Sequence, residues 1–151
     1  MNNLHVILVG LNYHRERTTG DKNFWVELLP ILAKDLQKIT VLSIRKHYQK
    51  QEKYEVNGCP ITIRYYQPQF LETPDAEYTR SRIFWRNGAF PRFFGVIEKL
   101  LSGKQLIKEL KDISRKEPPK HIHLMDNFGL MNRVFAKSFS VPVSVSAMAY
   151  Q

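Results

Sequence analysis

Cysteine is nearly absent from this chain, since Cys59 is the only one among 151 residues. A single thiol excludes an intramolecular disulfide and any zinc cluster built from several cysteines. We interpret Cys59 as a structural residue. A reducing cytoplasm is the simplest location to expect for a protein with so little cysteine.

Long apolar runs are also lacking. No stretch approaches the ~20 residues that a membrane-spanning helix needs, and no signal-peptide pattern opens the chain. Nevertheless, 43% of the residues are hydrophobic, which argues for a folded protein with a substantial core. We therefore expect residues 1–151 to form one domain.

Acidic residues are scarce relative to basic ones, 14 against 23, and the formal net charge is +9. Such an excess favours an acidic partner, which could be nucleic acid, an anionic membrane surface or a phosphorylated substrate. Most of the excess falls in residues 80–116, where ten basic residues stand against three acidic ones and aromatic residues lie between them.

Two interpretations of this basic, aromatic region stay open. In one, the rings belong to the core and the charges form a solvated face. In the other, the region docks on the inner face of a membrane, with rings at the acyl boundary and cations at the lipid phosphates. The residues that we assign to such contact are Arg82, Trp85, Arg86 and Arg92. No nucleic-acid-binding motif occurs, so nucleic acid is not an expected partner.

Strand and helix patterns alternate along the first part of the chain. Residues 4–10 form a nearly unbroken apolar run, typical of a strand buried on both faces of a parallel sheet. Residues 12–20 are a polar loop, and residues 39–44 predict a second strand. Between them, a helix is predicted by apolar residues at helical spacing, at positions 24, 25, 28, 29, 31 and 32.

A hairpin is predicted within residues 53–66. Asn57 and Gly58 can supply the positive φ angles of a tight turn, and alternating apolar residues follow as a strand with one buried face. Pro60 cannot donate to a ladder, so we place the hairpin at an edge of the sheet.

The later part of the chain continues the same alternation. Thr73 and Pro74 predict a helix start, and Asn87-Gly88 its end. A second helix is predicted over residues 93–115, which Ser102-Gly103 can divide in two. Its predicted apolar side comprises Ile97, Leu100, Leu101, Ile107, Leu110 and Ile113.

Two further strands complete the pattern. Residues 121–125 predict a strand, residues 130–139 a helix and residues 141–149 another strand. The repeated order of strand, loop and helix predicts a Rossmann-like, doubly wound α/β fold whose sheet is mostly parallel, with the hairpin at its edge.

Candidate site residues lie in the loops that follow the strands, because open α/β sheets bind ligands there. Gly20 ends the first loop and can let backbone N–H groups approach a phosphate at a helix start, although a single glycine by itself favours an ordinary tight turn. The loop lacks the Gly-x-Gly-x-x-Gly spacing of dinucleotide-binding enzymes, so that function is the weakest alternative.

Two histidines alternate near the second candidate loop. We expect His121 and His123 to point to opposite faces of their strand, which would be a poor arrangement for joint metal binding. Neither a metal nor a cofactor is therefore predicted. His123, close to Asp126, could hydrogen-bond a sugar hydroxyl or a phosphate. The alternative is a buried histidine that bonds to backbone.

Three stretches together resemble a known family. Residues 6–13 with 15–20 and the helix after them, residues 121–127 and residues 141–146 resemble the amino-terminal domain of GT-B glycosyltransferases, specifically the retaining family 4-like enzymes. The resemblance implies a hexosyltransferase-type enzyme in which this domain faces a nucleotide-sugar domain across a cleft.

The resemblance also implies roles for individual residues. Thr19 and Gly20 would approach the donor phosphates, and His123 and Asp126 would be catalytic. The residues lining the cleft on the acceptor side would be Asn12, Tyr13, Arg17, Asn127 and Gly129. The sequence departs from the family in having Thr19-Gly20 instead of paired glycines, and Met148 where many members carry a histidine.

The implied partners are a nucleotide sugar, a carbohydrate or lipid-linked acceptor, and a carboxyl-terminal domain or second subunit that completes the cleft. We expect that second half to lie outside these 151 residues. We therefore expect the chain to be inactive alone. The alternative is a non-catalytic Rossmann-like module for binding or membrane association that pairs with another subunit.

Overall fold

The computed structural model describes residues 4–11, 24–44, 49–66, 89–125 and 131–146. Within these ranges lie six strands and three helices. In chain order they are β1 (His5–Leu11), α1 (Phe24–Leu32), β2 (Lys38–Ile44), β3 (Gln51–Val56), β4 (Cys59–Tyr66), α2 (Ala89–Lys116), β5 (His121–Leu124), α3 (Met131–Ser138) and β6 (Val143–Val145). The helix predicted to start at Thr73 lies outside the described residues.

All six strands belong to one sheet, in the order β3-β4-β2-β1-β5-β6. Every neighbouring pair is parallel except the β3–β4 hairpin, which is antiparallel. The predicted α/β fold with a mostly parallel sheet and an edge hairpin is therefore confirmed. From β1 the chain first builds outward through β2 and β4, and it later returns to the other side of β1 as β5 and β6.

The central strand β1 is buried on both faces, as its apolar run predicts. Ile7 and Val9 belong to the core beneath α2 and α3, and Leu8 belongs to the core beneath α1. We call these two sides of the sheet the α2 face and the α1 face. Apolar side chains on both sides are what a covered parallel sheet requires.

The helix α1 packs on its face through Leu29, and Ala33, directly after the helix, packs into the same core; both are buried. Ile31 was predicted to share this apolar side, but it is 60% exposed. The prediction was wrong because Ile31 follows the buried Leu29 by two positions, and two positions turn a side chain by about 200° around the helix axis. Pro30 lies within the helix, and its carbonyl accepts a hydrogen bond from Asn57 Nδ2 at 3.3 Å.

The hairpin turn agrees with its sequence signal. Asn57 and Gly58 have φ angles of 51° and 79°, the pair of positive values that a two-residue type I′ turn needs. Pro60 pairs with Glu55 of the edge strand. Pro60 comes one residue before the β2–β4 ladder, which begins at Ile61. Because Pro60 is not part of that ladder, its lack of an N–H group removes no hydrogen bond from it.

The helix α2 runs unbroken through the predicted break at Ser102-Gly103. Gly103 is buried, and a Cβ atom placed there would collide with the side chain of Met131. The glycine therefore permits a close approach of α3 to α2 and does not end a helix. Leu100 and Leu101, predicted on the apolar side, are 40% and 37% exposed.

The last described strand is shorter than predicted. β6 covers Val143–Val145, and residues 147–149 of the predicted strand lie outside the described residues. Before it, the Pro142 carbonyl accepts a hydrogen bond from the Ile122 N–H at 3.0 Å. Among the helices that the structure describes, none has the length and apolar character to cross a bilayer.

Candidate functional site

The carboxyl ends of β1 and β5 lie side by side in the sheet. The register runs from Val6 opposite His121 to Val9 opposite Leu124, and the Met125 N–H donates to the Val9 carbonyl at 2.7 Å. In chain order the sheet grows away from β1 in one direction and then in the other. Ligands of open α/β sheets bind at such a reversal, outside the carboxyl ends of the strands.

Most of the predicted site residues lie outside the described residues. Those outside are Asn12, Tyr13, Arg17, Thr19, Gly20, Arg82, Trp85, Arg86, Asp126, Asn127 and Gly129. Arg92 lies on α2, where only the backbone is described. The candidate that can be placed with its side chain is His123, on β5.

His121 and His123 point to the same face of the sheet. Their ring centroids are 6.4 Å apart and their planes differ by 22°. The prediction of opposite faces was wrong, because side chains two positions apart on a strand return to the same side. The argument against joint metal binding depended on opposite faces and is therefore also wrong.

The two histidines meet two serines of the neighbouring strand end. We call His121, His123, Ser144 and Ser146 the histidine–serine cluster. Ser144 Oγ lies 2.6 Å from His121 Nε2 and 2.5 Å from His123 Nδ1. Ser146 Oγ lies 2.7 Å from His123 Nε2. All four side chains are half-buried.

Strand register creates this cluster. His123 is directly opposite Ser144 in the parallel β5–β6 pair. Residues two positions away on a strand point to the same face, which places His121 and Ser146 on that face as well. Ile122 and Leu124, between and beyond the histidines, instead enter the core beneath α2 and α3. The cluster therefore belongs to the α1 face.

The hydrogen-bond pattern restricts where hydrogens lie. A serine hydroxyl donates one hydrogen and accepts others. Ser144 can therefore donate to the lone pair of only one of the two ring nitrogens that meet it. If its hydrogen is directed to one imidazole, the other must present N–H to the Ser144 oxygen. The cluster is a continuous chain of hydrogen bonds from His121 to Ser146.

The protonation of His123 is also constrained. Burial, and then the neighbouring His121, lower the pKa of His123, which favours a neutral ring at neutral pH. Each ring nitrogen already lies beside a serine hydroxyl, so the alternative of a histidine bonded to backbone is not what the structure shows. A ligand hydroxyl would reach Nε2 by taking the place of Ser146.

The serines of the cluster were missed in the sequence. Ser144 in β6 and Ser146 directly after it are two residues apart, as His121 and His123 are in β5, and that matching period was the available signal. No group of three or more His, Cys, Asp or Glu side chains suited to a metal ion occurs within the described residues.

A second polar feature lies on α2, away from the sheet. We call Lys104, Lys108, Lys111 and Arg115 the basic stripe. Their spacing of four, three and four residues places them along one side of the helix, and all four are exposed. Asp112 lies 3.8 Å from Arg115.

Comparisons with known proteins give little. No protein-family model matches the chain, and no curated protein matches it. A solved structure described as trehalose-6-phosphate from E. coli bound with UDP-2-fluoro glucose is similar over 92% of this chain, with 13% identity and a TM-score of 0.46. The chain spans 32% of that structure's own chain. The fold of this protein rests on its own strand order and register.

Proposed function

We propose that this chain is the acceptor-side, amino-terminal half of a GT-B glycosyltransferase that transfers a sugar from a nucleotide-sugar donor with retention. The observation that carries the proposal is the reversal of strand order between β1 and β5. The two strands end beside one another, and the chain continues from them into the two segments whose polar residues resemble the family 4-like enzymes. A ligand crevice is expected at that place.

The first of these segments supplies the donor contacts in the proposal. It ends at Thr19-Gly20, shortly before α1 begins at Phe24. Backbone N–H groups ahead of a helix attract phosphate through hydrogen bonds and the helix dipole. Asn12, Tyr13 and Arg17, earlier in the segment, would line the cleft.

The second segment supplies the acceptor contacts. Asp126 and His123 would contact the acceptor, with Asn127 and Gly129 beside them. His123 Nε2 would exchange Ser146 for an acceptor hydroxyl, which a neutral imidazole can bind as a hydrogen-bond acceptor.

In the proposed transfer, the donor phosphate assists the attack on the face from which it departs, so the configuration of the sugar is kept. The protein contributes orientation and charge stabilisation. The nucleotide sugar is a substrate, and the transfer is proposed without a resident cofactor. A carboxyl-terminal domain or a second subunit would hold the nucleotide and close the cleft.

A binding experiment tests the proposal on this chain. The ¹⁵N-labelled protein is titrated with a panel of sugar phosphates, nucleotide sugars and free saccharides. We expect shifts at backbone amides of Gly10, Leu11 and Met125, which border the crevice. Gly20→Val should weaken binding of phosphorylated ligands by blocking backbone approach. Gln37→Val, at an exposed position near the opposite strand ends, is the control that should bind normally.

Two results would contradict the proposal. One is a panel in which no sugar-containing ligand shifts the amides that border the crevice. The other is binding that maps elsewhere and is insensitive to Gly20→Val.

We also propose, as the second candidate function, that the protein contacts an anionic membrane surface. The basic stripe supports this, because four exposed cations on one side of α2 are continuous with the exposed Leu100 and Leu101 one turn earlier. Cations beside exposed apolar side chains suit an interface of lipid phosphates and acyl chains. Arg82, Trp85, Arg86 and Arg92 would extend the contact.

Vesicle binding tests this second candidate. Each cation near an anionic leaflet contributes about 1 kcal/mol, so reversing Lys104, Lys108 and Lys111 to Glu should lower binding to phosphatidylserine vesicles by at least about 100-fold. Added salt should weaken the wild-type interaction.

A matched variant separates local contact from net charge. Lys34, Lys50 and Lys53 are exposed and lie off α2, and their reversal to Glu changes the net charge equally. That control should retain most of the binding. Equal losses in the two variants, or equal wild-type binding to neutral vesicles, would refute a specific membrane surface on α2.

A further inference from the structure

We propose that His123, Ser144 and His121 form a proton relay, in which a proton received at His123 Nε2 passes through the Ser144 hydroxyl to His121 Nε2. The observation that carries this inference is the unbroken row of short hydrogen bonds through the histidine–serine cluster. The relay itself does not depend on sugar transfer. Its use with an acceptor hydroxyl rests on the proposed function.

Ser144 stands between the two imidazole rings and contacts both. Its Oγ lies 2.6 Å from His121 Nε2 and 2.5 Å from His123 Nδ1. A hydroxyl donates its one hydrogen and can accept another hydrogen bond at the same time. Ser144 can therefore receive a proton from one ring while it gives its own hydrogen to the other.

One arrangement of hydrogens leaves the relay ready to receive a proton. In this resting form both rings carry their hydrogen on Nδ1. His123 then donates to Ser144, and Ser144 donates to His121 Nε2. Ser146, directly after β6, donates to His123 Nε2 across 2.7 Å. An acceptor hydroxyl that takes the place of Ser146 would meet the same lone pair of His123.

The relay step moves hydrogens along the row and leaves the positive charge on His121. The acceptor O–H bond breaks, and its proton goes to His123 Nε2. The Nδ1 hydrogen of His123 goes to Ser144, and the former Ser144 hydrogen goes to His121 Nε2. His123 stays neutral, with its hydrogen now on Nε2. The electron pair of the acceptor oxygen forms the bond to the sugar, and the pair of the broken sugar–phosphate bond leaves with the phosphate.

The surroundings of the two rings suit one shared proton and disfavour a second. Val6 and Leu8 of β1 lie opposite His121 and His123 in the sheet, β6 contributes Ser144, and α1 contributes apolar side chains to the core of this face. The ring centroids are 6.4 Å apart, so two charged rings would repel each other in this half-buried place. Burial and then His121 lower the pKa of His123, which favours release of its proton toward Ser144.

Nitrogen NMR of the histidine rings in the ligand-free, ¹⁵N-labelled chain tests the relay. At about pH 8 histidine is neutral, and the ¹⁵N shifts show which ring nitrogen carries the hydrogen. We expect both rings to carry it on Nδ1. As the pH falls, the first proton should change the nitrogen signals of both rings, because the relay shares it between them. No sugar is added, so a failure here removes the relay and leaves the sugar-binding proposal to its own experiment.

Three variants isolate the bridging hydroxyl. Ser144→Ala should release at least one ring from the Nδ1–H form and confine the first proton to one ring. Ser144→Thr keeps a hydroxyl and should restore both properties. Ser138→Ala is the matched control, because Ser138 donates to the Val134 carbonyl of its own helix, and it should leave both rings unchanged. Backbone amide spectra check that each variant is folded.

Several results would overturn the proposal. In the wild type, they are rings that carry hydrogen on different nitrogens or both on Nε2, and a first proton that changes one ring alone. In the variants, they are a folded Ser144→Ala protein whose rings behave as in the wild type, and a folded Ser144→Thr protein whose rings behave as in Ser144→Ala.

Discussion

A buried hydrogen bond between β1 and β2 makes a quantitative prediction about stability. His5 and Thr40 are each 1% exposed, and His5 Nε2 lies 2.8 Å from Thr40 Oγ1. His5 Nδ1 lies 3.4 Å from the Pro118 carbonyl. Since a carbonyl only accepts, Nδ1 carries the hydrogen, and Nε2 accepts a hydrogen bond from the Thr40 hydroxyl.

Replacing Thr40 with Val removes that donor and preserves the shape and branching of the side chain. His5 Nε2 is then left buried without its partner, which costs about 1–3 kcal/mol. We expect the free energy of unfolding to fall by about 2 kcal/mol. For a chain of this size, that loss lowers the midpoint temperature by about 4–8 °C.

Urea unfolding followed by circular dichroism at pH 8 measures the effect, and an unchanged m-value shows that the unfolding transition keeps its character. Thr62→Val is the matched control, because Thr62 pairs with Thr40 in the β2–β4 register but is only half-buried. The reasoning is refuted if Thr40→Val loses less than about 0.5 kcal/mol, the size of an ordinary surface change, or no more than the control.

Three other predictions follow from the structure and the proposed function. Burial lowers the pKa of His5 and His123 below 6.5, so the folded state binds fewer protons than the unfolded state. The contribution of these histidines to the free energy of unfolding should therefore be complete above about pH 6.5 and be lost as the pH falls through their lowered pKa values. A urea midpoint that stays the same from about pH 7.5 to pH 5 would contradict this. Gly103→Ala should lower stability by about 1 kcal/mol, because crowding of Met131 outweighs the better helix propensity of alanine, and a gain in stability would show that Met131 moves aside freely. Purified residues 1–151 should transfer no sugar from any nucleotide sugar, since the proposed transfer needs a second half that holds the nucleotide opposite this one, and measurable turnover by mass spectrometry would refute that role.

Local patterns in the sequence were sufficient for several elements. Residues 4–10 predicted a central strand because both faces of such a strand must be apolar. Asn57-Gly58 predicted the hairpin because few residue pairs accept two positive φ angles. Both signals depend on neighbouring residues alone, and the structure confirms both.

The sequence is also enough to place His121 and His123 on the same face of their strand, because side chains two residues apart point to the same side. Our prediction nevertheless placed them on opposite faces. Their serine partners do not follow from that period. Ser144 and Ser146 come from another strand, and their place beside the histidines depends on the parallel register of β5 and β6.

Tertiary packing decided the features on which the local patterns failed. Ser102-Gly103 was predicted to divide the helix, yet α2 continues through it, and the side chain of Met131 from another helix packs where a Cβ atom of residue 103 would lie. Leu100 and Leu101 fit an apolar helix side, yet they are exposed. The sequence by itself determined which segments become strands and helices, because those preferences are local. Only the packed sheet decided which side chains meet, because register and helix contacts join residues that are distant in the chain.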